Sequence, residues 1–304
     1  MLRGIRLVLF LAVPLAILAG TLAYRARVAD WPGASDGAYD YVVRVELPPA
    51  ERVIDLPQVQ GPQDAGRPLV VIDPGHGGFD PGAGQGAVKE KEVTLAIARA
   101  LRDQLLEAGG IRVAMTREDD RFIALAERPN IARRLGADVF VSIHADSADA
   151  EGARGASVYV LSQSGSSQAA SRFAARENGA DTVNGVNLSE TSDTVGAILL
   201  DLSQREAQAG SAELAGLVLR EAAGRIPLRR EGIESAGLAV LKAPDVPSIL
   251  FETGYISNPQ DAAYISSVEG RETIASAAAA AIRAFLVRRT LAEAGAGLRA
   301  TDGP

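Results

Sequence analysis

The sequence predicts one α/β domain over residues 68–290, with a central, mostly parallel six-stranded sheet flanked by helices. Three observations lead to this fold class. Short apolar runs alternate with longer segments of helical periodicity, several of the runs are apolar on both faces, and no internal repeat interrupts the order. Strands that alternate with helices at this spacing form parallel sheets whose two faces are covered.

The predicted strands are short apolar runs, and 69–73, 138–144 and 248–252 are apolar on both faces, as a covered sheet requires. The complete set of predicted strands is 69–73, 112–116, 138–144, 156–161, 238–242 and 248–252. The helix after the first strand repeats an apolar residue at four-residue spacing from Val93 to Leu105. Further helical patterns fit 123–135, 166–180, 206–224 and 270–288.

Residues 1–24 have the pattern of a signal peptide or a membrane anchor. Arg3 and Arg6 precede an uncharged run from Leu7 to Tyr24, which ends in small residues. The run is also at the lower end of the length that spans a bilayer, so cleavage and retention both stay open. In either case the segment targets the membrane, and we expect the rest of the chain outside the cytoplasm.

Two segments flank the predicted domain. Residues 25–67 are rich in Pro, Gly, Ala and Asp, which predicts a linker. Residues 291–304 lack periodicity, which predicts a disordered tail.

Composition restricts the chemistry. The formal net charge of −7 argues against nucleic acid as the main partner, because a phosphate backbone attracts basic surfaces. The sequence has no cysteine, so disulfides and thiolate metal sites are excluded. Any metal ion would have to be held by His, Asp or Glu.

The two histidines of the chain both follow predicted strands. His76 comes after the run 69–73, and His144 ends the run 138–144. Ligands bind at the carboxyl ends of such strands, so a shared site is favoured over two unrelated histidines. Glu90 closes a glycine-rich loop that begins at Gly75 and can fold back to the same place. His, Glu and His form a ligand set that zinc accepts, although Glu90 alone would fit the first turn of a helix equally well.

Glu252 ends the third buried run, 248–252. A carboxylate at the end of an apolar strand costs free energy unless it is paired or used in catalysis. Beside a metal ion it would suit a general base.

Four segments together resemble a known family. VIDPGHGGFDPGA, KEKEVTLAIA, VSIHAD and ILFETGYISNPQD are similar to the N-acetylmuramoyl-L-alanine amidases of the zinc amidase-3 type, in the family's order. The resemblance covers about 68–290 and implies an α/β catalytic domain with one Zn²⁺. It also implies that His76, Glu90 and His144 are metal ligands and that Glu252 is the general base. The implied reaction is hydrolysis of the amide between N-acetylmuramic acid and L-alanine in peptidoglycan.

Residues 162–208 form an insertion that resembles the one in Gram-negative cell-division amidases, where a helix occupies the active-site groove until an activator protein removes it. This resemblance implies a periplasmic enzyme of daughter-cell separation. It also makes Glu177 an autoinhibitory fourth metal ligand and 194–202 the activator-binding segment. Glu177 could instead be an exposed helix carboxylate, and the apolar residues of 194–202 could belong to the core.

Two other functions use the same features. A zinc peptidase that cuts within the stem peptide would need the same ligands and base. A non-catalytic wall-binding module would be expected to lack Glu252 or one of the ligands, and all four residues are present.

Overall fold

The structure is a computed structural model, which describes residues 56–85, 88–147, 153–179, 182–183, 186–187 and 197–301. The predicted signal or anchor segment, 1–24, and the first part of the predicted linker lie outside these residues. The rest of the predicted linker forms one β-bridge, between Gln60 and Val113. Within the described ranges, no helix is both long enough and apolar enough to cross a membrane.

The strands, in chain order, are β1 (Leu69–Pro74), β2 (Gly84–Gln85), β3 (Val88–Lys89), β4 (Arg112–Met115), β5 (Val139–His144), β6 (Ser157–Leu161), β7 (Thr182–Val183), β8 (Val186–Asn187), β9 (Glu234–Ala236) and β10 (Ser248–Glu252). The helices are α1 (Glu90–Ala108), α2 (Glu127–Leu135), α3 (Gln168–Glu177), α4 (Ala197–Ala222), α5 (Pro259–Ser266) and α6 (Val268–Thr301), with a 3-10 turn at Ala239–Leu241.

The predicted single α/β domain with a mostly parallel six-stranded sheet is confirmed. The strand order is β4-β1-β5-β10-β6-β9, and every neighbouring pair is parallel except β10 with β6. β5 lies between β1 and β10, with Pro74 opposite Ile143 and His144 opposite Glu252. The carboxyl ends of these three central strands therefore meet at one edge of the sheet, where ligands bind in open α/β folds.

Apolar layers cover both faces of the sheet. Val70 and Ile72 belong to a buried cluster with α1, α4 and α6, whereas Leu69 and Val71 belong to a second cluster with α2, α3 and the 3-10 turn. Alternate residues of a strand point to opposite faces, so a strand buried on both faces needs an unbroken apolar run. This requirement explains why the central strands are easily seen in the sequence.

The strand predicted at 238–242 is wrong. The sixth strand of the sheet is β9, and the predicted segment forms the 3-10 turn instead. Leu238, Val240 and Leu241 are all buried in the second apolar cluster. A short apolar run indicates burial but does not by itself distinguish a strand from a buried turn.

The helices differ from prediction mainly at their ends. The disordered tail predicted at 291–304 is wrong as far as Thr301, because α6 continues to that residue. The segment is rich in alanine, which has the highest helix propensity, and a helix that is already formed extends at low cost. The helix α5 was not predicted, although Asn258 caps its first turn and Pro259 occupies its first position.

Candidate metal centre

The structure brings the sequence-predicted site residues together at the carboxyl edge of the sheet. His76 follows β1, His144 ends β5, Glu252 ends β10 and Glu90 begins α1. All four side chains are buried, and Glu90 and Glu252 have no exposed surface. A charged group in such a position needs a partner or a function.

Two glycines make this close approach feasible. A Cβ atom on Gly82 would lie 2.6 Å from Cδ2 of His76 and 2.7 Å from Cβ of Glu90, and its φ of +66° is also strained for other residues. A Cβ atom on Gly75 would lie 2.6 Å from the His144 ring. The glycine-rich loop therefore folds directly against the ligand side chains, as the sequence predicts for the return of Glu90.

The predicted ligand atoms lie within a few ångströms of one another. Nε2 of His76 is 3.2 Å from Oε2 of Glu90, and Nδ1 of His144 is 3.1 Å from Oε1 of the same carboxylate. The His76 and His144 rings are nearly perpendicular, with centroids 5.0 Å apart. The two imidazoles thus approach one small volume from different directions.

Glu177 joins this cluster from α3. Its Oε2 lies 3.0 Å from Nδ1 of His144 and 3.6 Å from Nε2 of His76. The side chain is buried, which excludes the alternative of an exposed helix carboxylate. One ligand atom from each of His76, Glu90, His144 and Glu177 lies within 4.8 Å of the other three.

Hydrogen bonds orient the ligand side chains. The Asp80 carboxylate is 2.7 Å from Nδ1 of His76, on the side of the ring that faces away from the cluster. The Glu90 carboxylate accepts hydrogen bonds from the backbone N–H groups of Ala83 and Ala145, each at 2.8 Å. Such outer contacts fix the orientation of metal ligands in metalloproteins.

The donor set fits a zinc ion. Within the described part of the chain, Nε2 of His76 and Oε2 of Glu177 are buried without a hydrogen-bond partner, although both point into the cluster. Two imidazole nitrogens and two carboxylate oxygens are ligands that zinc accepts in a four-coordinate site. Ligands at zinc distances lie about 3–4 Å apart, close to the separations seen here.

The carboxylates also set the protonation of the imidazoles. Burial alone would lower the pKa of His144, but Glu177 and Glu90 outweigh it and raise this pKa to about 10. Burial is likewise outweighed at His76, where Glu90 and Asp80 hold the pKa well above its usual range. The cluster therefore attracts positive charge, whether protons or a metal cation.

Glu252 lies beside the cluster and has one uncommitted oxygen. Its Oε1 accepts a 2.7 Å hydrogen bond from the backbone N–H of Asp146. Its Oε2 is buried and has no hydrogen-bond partner among the residues that the structure describes. Burial, together with Glu90 and Asp146, raises the pKa of Glu252 well above its usual range. A carboxylate of raised pKa beside a metal site is suited to accept and return protons.

Two buried arginines support the loop that carries His76, and sequence reasoning missed both. Arg128 donates to the backbone carbonyls of Pro74 and His76, at 2.9 and 3.0 Å, and pairs with Asp73 at 3.0 Å. Arg117 donates to the carbonyls of Pro74 and Gly75, at 3.0 and 2.7 Å. Arginine is usually exposed, so nothing in the sequence indicated that these two are buried.

The sequence is similar to known amidases over the region that contains this site. The family model described as N-acetylmuramoyl-L-alanine amidase matches residues 70–284. AmiA of Escherichia coli is 39% identical over 225 residues, which cover 73% of this chain and 78% of AmiA. AmiC of Neisseria meningitidis is 41% identical over 239 residues, which cover 76% of this chain but 57% of AmiC.

The fold is also similar to solved amidase structures. AmiC2 of Nostoc punctiforme is 30% identical, with a TM-score of 0.51 over 73% of this chain and 98% of the AmiC2 chain. The matched region contains every residue of the candidate metal centre and Glu252. The chain belongs to the N-acetylmuramoyl-L-alanine amidase family.

Proposed function

We propose that this protein is a zinc-dependent hydrolase of the amide bond between N-acetylmuramic acid and L-alanine in peptidoglycan. The observation that carries the proposal is the buried cluster of His76, Glu90, His144 and Glu177 at the strand ends of an amidase-family domain. Glu252, with a buried and unpartnered oxygen among the described residues, supplies the acid–base group that hydrolysis needs.

His76, Glu90 and His144 are the proposed permanent ligands of the zinc ion. When bound, zinc polarises the scissile carbonyl and increases the acidity of water, which favours attack on an amide. The three side chains are fixed by backbone N–H groups, Asp80 and the glycine loop, so they need little reorganisation to hold a cation.

Glu252 is the proposed general base and general acid. Its Oε2 accepts a proton from the attacking water, while its Oε1 stays fixed by the N–H of Asp146. The same carboxyl group then returns the proton to the alanine nitrogen as the carbon–nitrogen bond breaks. Burial supports this role, because it raises the pKa of Glu252 and so makes its carboxylate a stronger base.

Glu177 is the proposed autoinhibitory ligand. It completes the four-residue cluster from α3, inside the 162–208 insertion, and would occupy the position that substrate and water need. The helix α3 is held by the stacking of Phe173 on Tyr159 and by Asn178, which donates to the carbonyl of Gly237 and accepts from the backbone N–H of Ala239. In this role α3 covers the site. It stays closed only because it makes contacts in the closed form that are absent from the open form, so a partner that binds the open form can release it.

An exported activator protein is the proposed partner, and its predicted binding segment is 194–202. Residues 194–196 lie outside the described part of the chain, and 197–202 form the beginning of α4. The signal-like pattern of residues 1–24 and a peptidoglycan substrate support a periplasmic location, free or anchored to the inner membrane. Cell-wall cleavage by a covered enzyme suits daughter-cell separation, where hydrolysis must be restricted in time and place.

A zinc peptidase that cuts within the stem peptide remains the second candidate, because it would use the same ligands and base. The two functions differ in their products. An amidase releases peptides that begin with L-alanine and leaves the glycan strands without peptide. A peptidase leaves L-alanine attached to the glycan.

Digestion of purified sacculi, followed by mass analysis of the released peptides, tests the proposal. We expect Glu177→Ala protein to release peptides with N-terminal L-alanine, and a chelator followed by zinc repletion to stop and restore the release. Arg172→Ala, on the exposed side of the same helix, is the matched control for the variant. Release of fragments that lack alanine would instead support the peptidase.

A further inference from the structure

Asp146 is a buried carboxylate that the proposed reaction does not yet use. It lies two residues beyond His144 and is only 5% exposed. Its backbone N–H donates to Glu252, and its backbone carbonyl accepts from Ile256 at 2.9 Å. The residue is therefore held next to the proposed general base, and its carboxylate is close enough to contribute to the raised pKa of Glu252.

The cover helix α3 supplies the cation that Asp146 needs. Nη2 and Nε of Arg176 donate to Oδ2 of Asp146 at 2.5 and 3.1 Å. The next residue, Glu177, places its carboxylate against His144 and His76. Two consecutive residues of α3 thus present a cation at Asp146 and a carboxylate at the candidate metal centre.

The products of the proposed hydrolysis carry the same two charges. Water adds its oxygen to the lactyl carbonyl carbon, the carbon–nitrogen bond breaks, and the nitrogen receives one water proton through Glu252. The acid product releases the second water proton to solvent, and the amine takes up one in turn. The carbon product is a carboxylate, and the alanine nitrogen becomes an α-amine whose pKa near 7.7–8.0 makes it mostly an ammonium at neutral pH. With a zinc ion held by His76, Glu90 and His144, the carboxylate would lie at the metal centre and the ammonium beside Glu252.

We propose that Asp146 binds the alanine nitrogen as it leaves. In the closed form, Arg176 takes the place of the product ammonium and Glu177 takes the place of the product carboxylate, and these two contacts hold α3 over the site. This inference rests on the proposed amidase function. When α3 moves away, Asp146 loses its ion pair with Arg176, and its carboxylate becomes available to the ammonium group of the product. The unpartnered Oε2 of Glu252, buried among the described residues next to this position, is a second acceptor for the N–H groups of the product.

A binding measurement tests the assignment without relying on turnover. The parent protein is the zinc-loaded Arg176→Ala/Glu177→Ala variant, which lacks the two side chains that take the place of the products. Isothermal titration calorimetry compares a synthetic tripeptide that begins with L-alanine and its N-acetylated form, which has no ammonium group. We expect the parent to prefer the free amine.

Asp146→Asn in this background should weaken binding of the free-amine peptide about tenfold to a hundredfold, the range for a hydrogen bond to a charged group. It should leave binding of the acetylated peptide unchanged. Asp146→Glu should retain the preference because it keeps the charge, and Asp103→Asn on exposed α1 is the matched control. Zinc content and melting temperature show whether each variant is folded.

Equal affinity of Asp146→Asn and its parent for the free-amine peptide, or equal weakening of both peptides, would overturn the assignment. Digestion of sacculi by the parent separates this result from failure of the proposed function. If the parent releases peptides with N-terminal alanine while Asp146→Asn keeps the amine preference, only the role of Asp146 is wrong. If the parent releases none, the amidase proposal itself fails.

Discussion

The proposed permanent ligands and α3 contribute to the same candidate metal centre but are held in different ways. His76, Glu90 and His144 are fixed by backbone N–H groups, buried arginines and the central strands. Glu177 is carried by a ten-residue helix that is fastened mainly by side-chain contacts of Phe173, Arg176 and Asn178.

The difference indicates which part of the site is permanent. Breaking the strand-end contacts would disrupt the sheet and leave buried charges such as Arg128 and Asp73 unpaired. Releasing α3 removes Ala170, Phe173 and Ala174 from the second apolar cluster and breaks the contacts of Arg176 and Asn178, a cost that binding energy from a partner would have to offset. On the proposed function, the first region holds the ion permanently, and the second is the part that an activator would displace.

The largest effect is expected from the loss of a strand-end ligand. His144→Ala should lower zinc content and abolish hydrolysis, because it removes one of the three proposed permanent ligands, and an ion kept by His76, Glu90 and Glu177 would leave no position for water. Zinc content of the purified protein, measured by atomic emission, checks this directly. Near-stoichiometric zinc in a His76→Ala/His144→Ala double variant would show that the ion is bound elsewhere.

A large effect on rate alone is expected from Glu252→Gln. The substitution removes the proton acceptor but leaves the ligand set intact, so zinc content should stay normal. Loss of a general base typically lowers the rate about 10²–10⁴-fold. Initial rates of sacculus digestion check this, with Glu231→Gln on the exposed surface as the control. Normal turnover would mean that Glu252 is structural.

A stability effect is expected from Arg128→Met, which leaves Asp73 buried without its cation. Removing one partner of a buried pair costs about 3–5 kcal/mol in the free energy of unfolding. Burial raises the pKa of Asp73, but Arg128 and the hydroxyl donors Thr116 and Ser142 outweigh it, so this pKa lies below its usual value.

The pH dependence of the Arg128→Met effect follows from this balance. Without Arg128 the pKa of Asp73 should rise. The loss in the free energy of unfolding is therefore largest at neutral pH and becomes smaller as Asp73 takes up a proton at lower pH. Urea unfolding at several pH values measures the deficit, with exposed Arg134→Met from the same helix as the control. A deficit that does not change with pH would show that Asp73 is not the affected partner.

The contrast between the two regions also explains what could be predicted from the sequence. The strand-end residues were found because a histidine or glutamate that follows an unbroken apolar run is conspicuous. The family's motifs cover the same positions, so the residue patterns and the family resemblance indicated the same site residues. Glu177 was placed by resemblance alone, because a glutamate at the end of a helix has no distinctive pattern.

The missed features are those in which distant contacts override local pattern. Arg117 and Arg128 are typical surface residues by type, and only the tertiary fold shows that they bind the backbone of the His76 loop. The apolar run at 238–242 indicates burial correctly but forms a turn, since β9 occupies the sheet edge instead. A local pattern reports how buried a segment is more reliably than which element it forms.

The central claim is that α3 closes a complete active site through Glu177. The most direct test is the rate at which zinc-loaded Glu177→Ala protein digests sacculi in the absence of any partner, compared with wild type and Arg172→Ala at equal zinc content. The account predicts that Glu177→Ala is faster than both, since it loses one charge-assisted ligand while His76, Glu90 and His144 keep the ion. A rate equal to or below that of wild type would contradict the account.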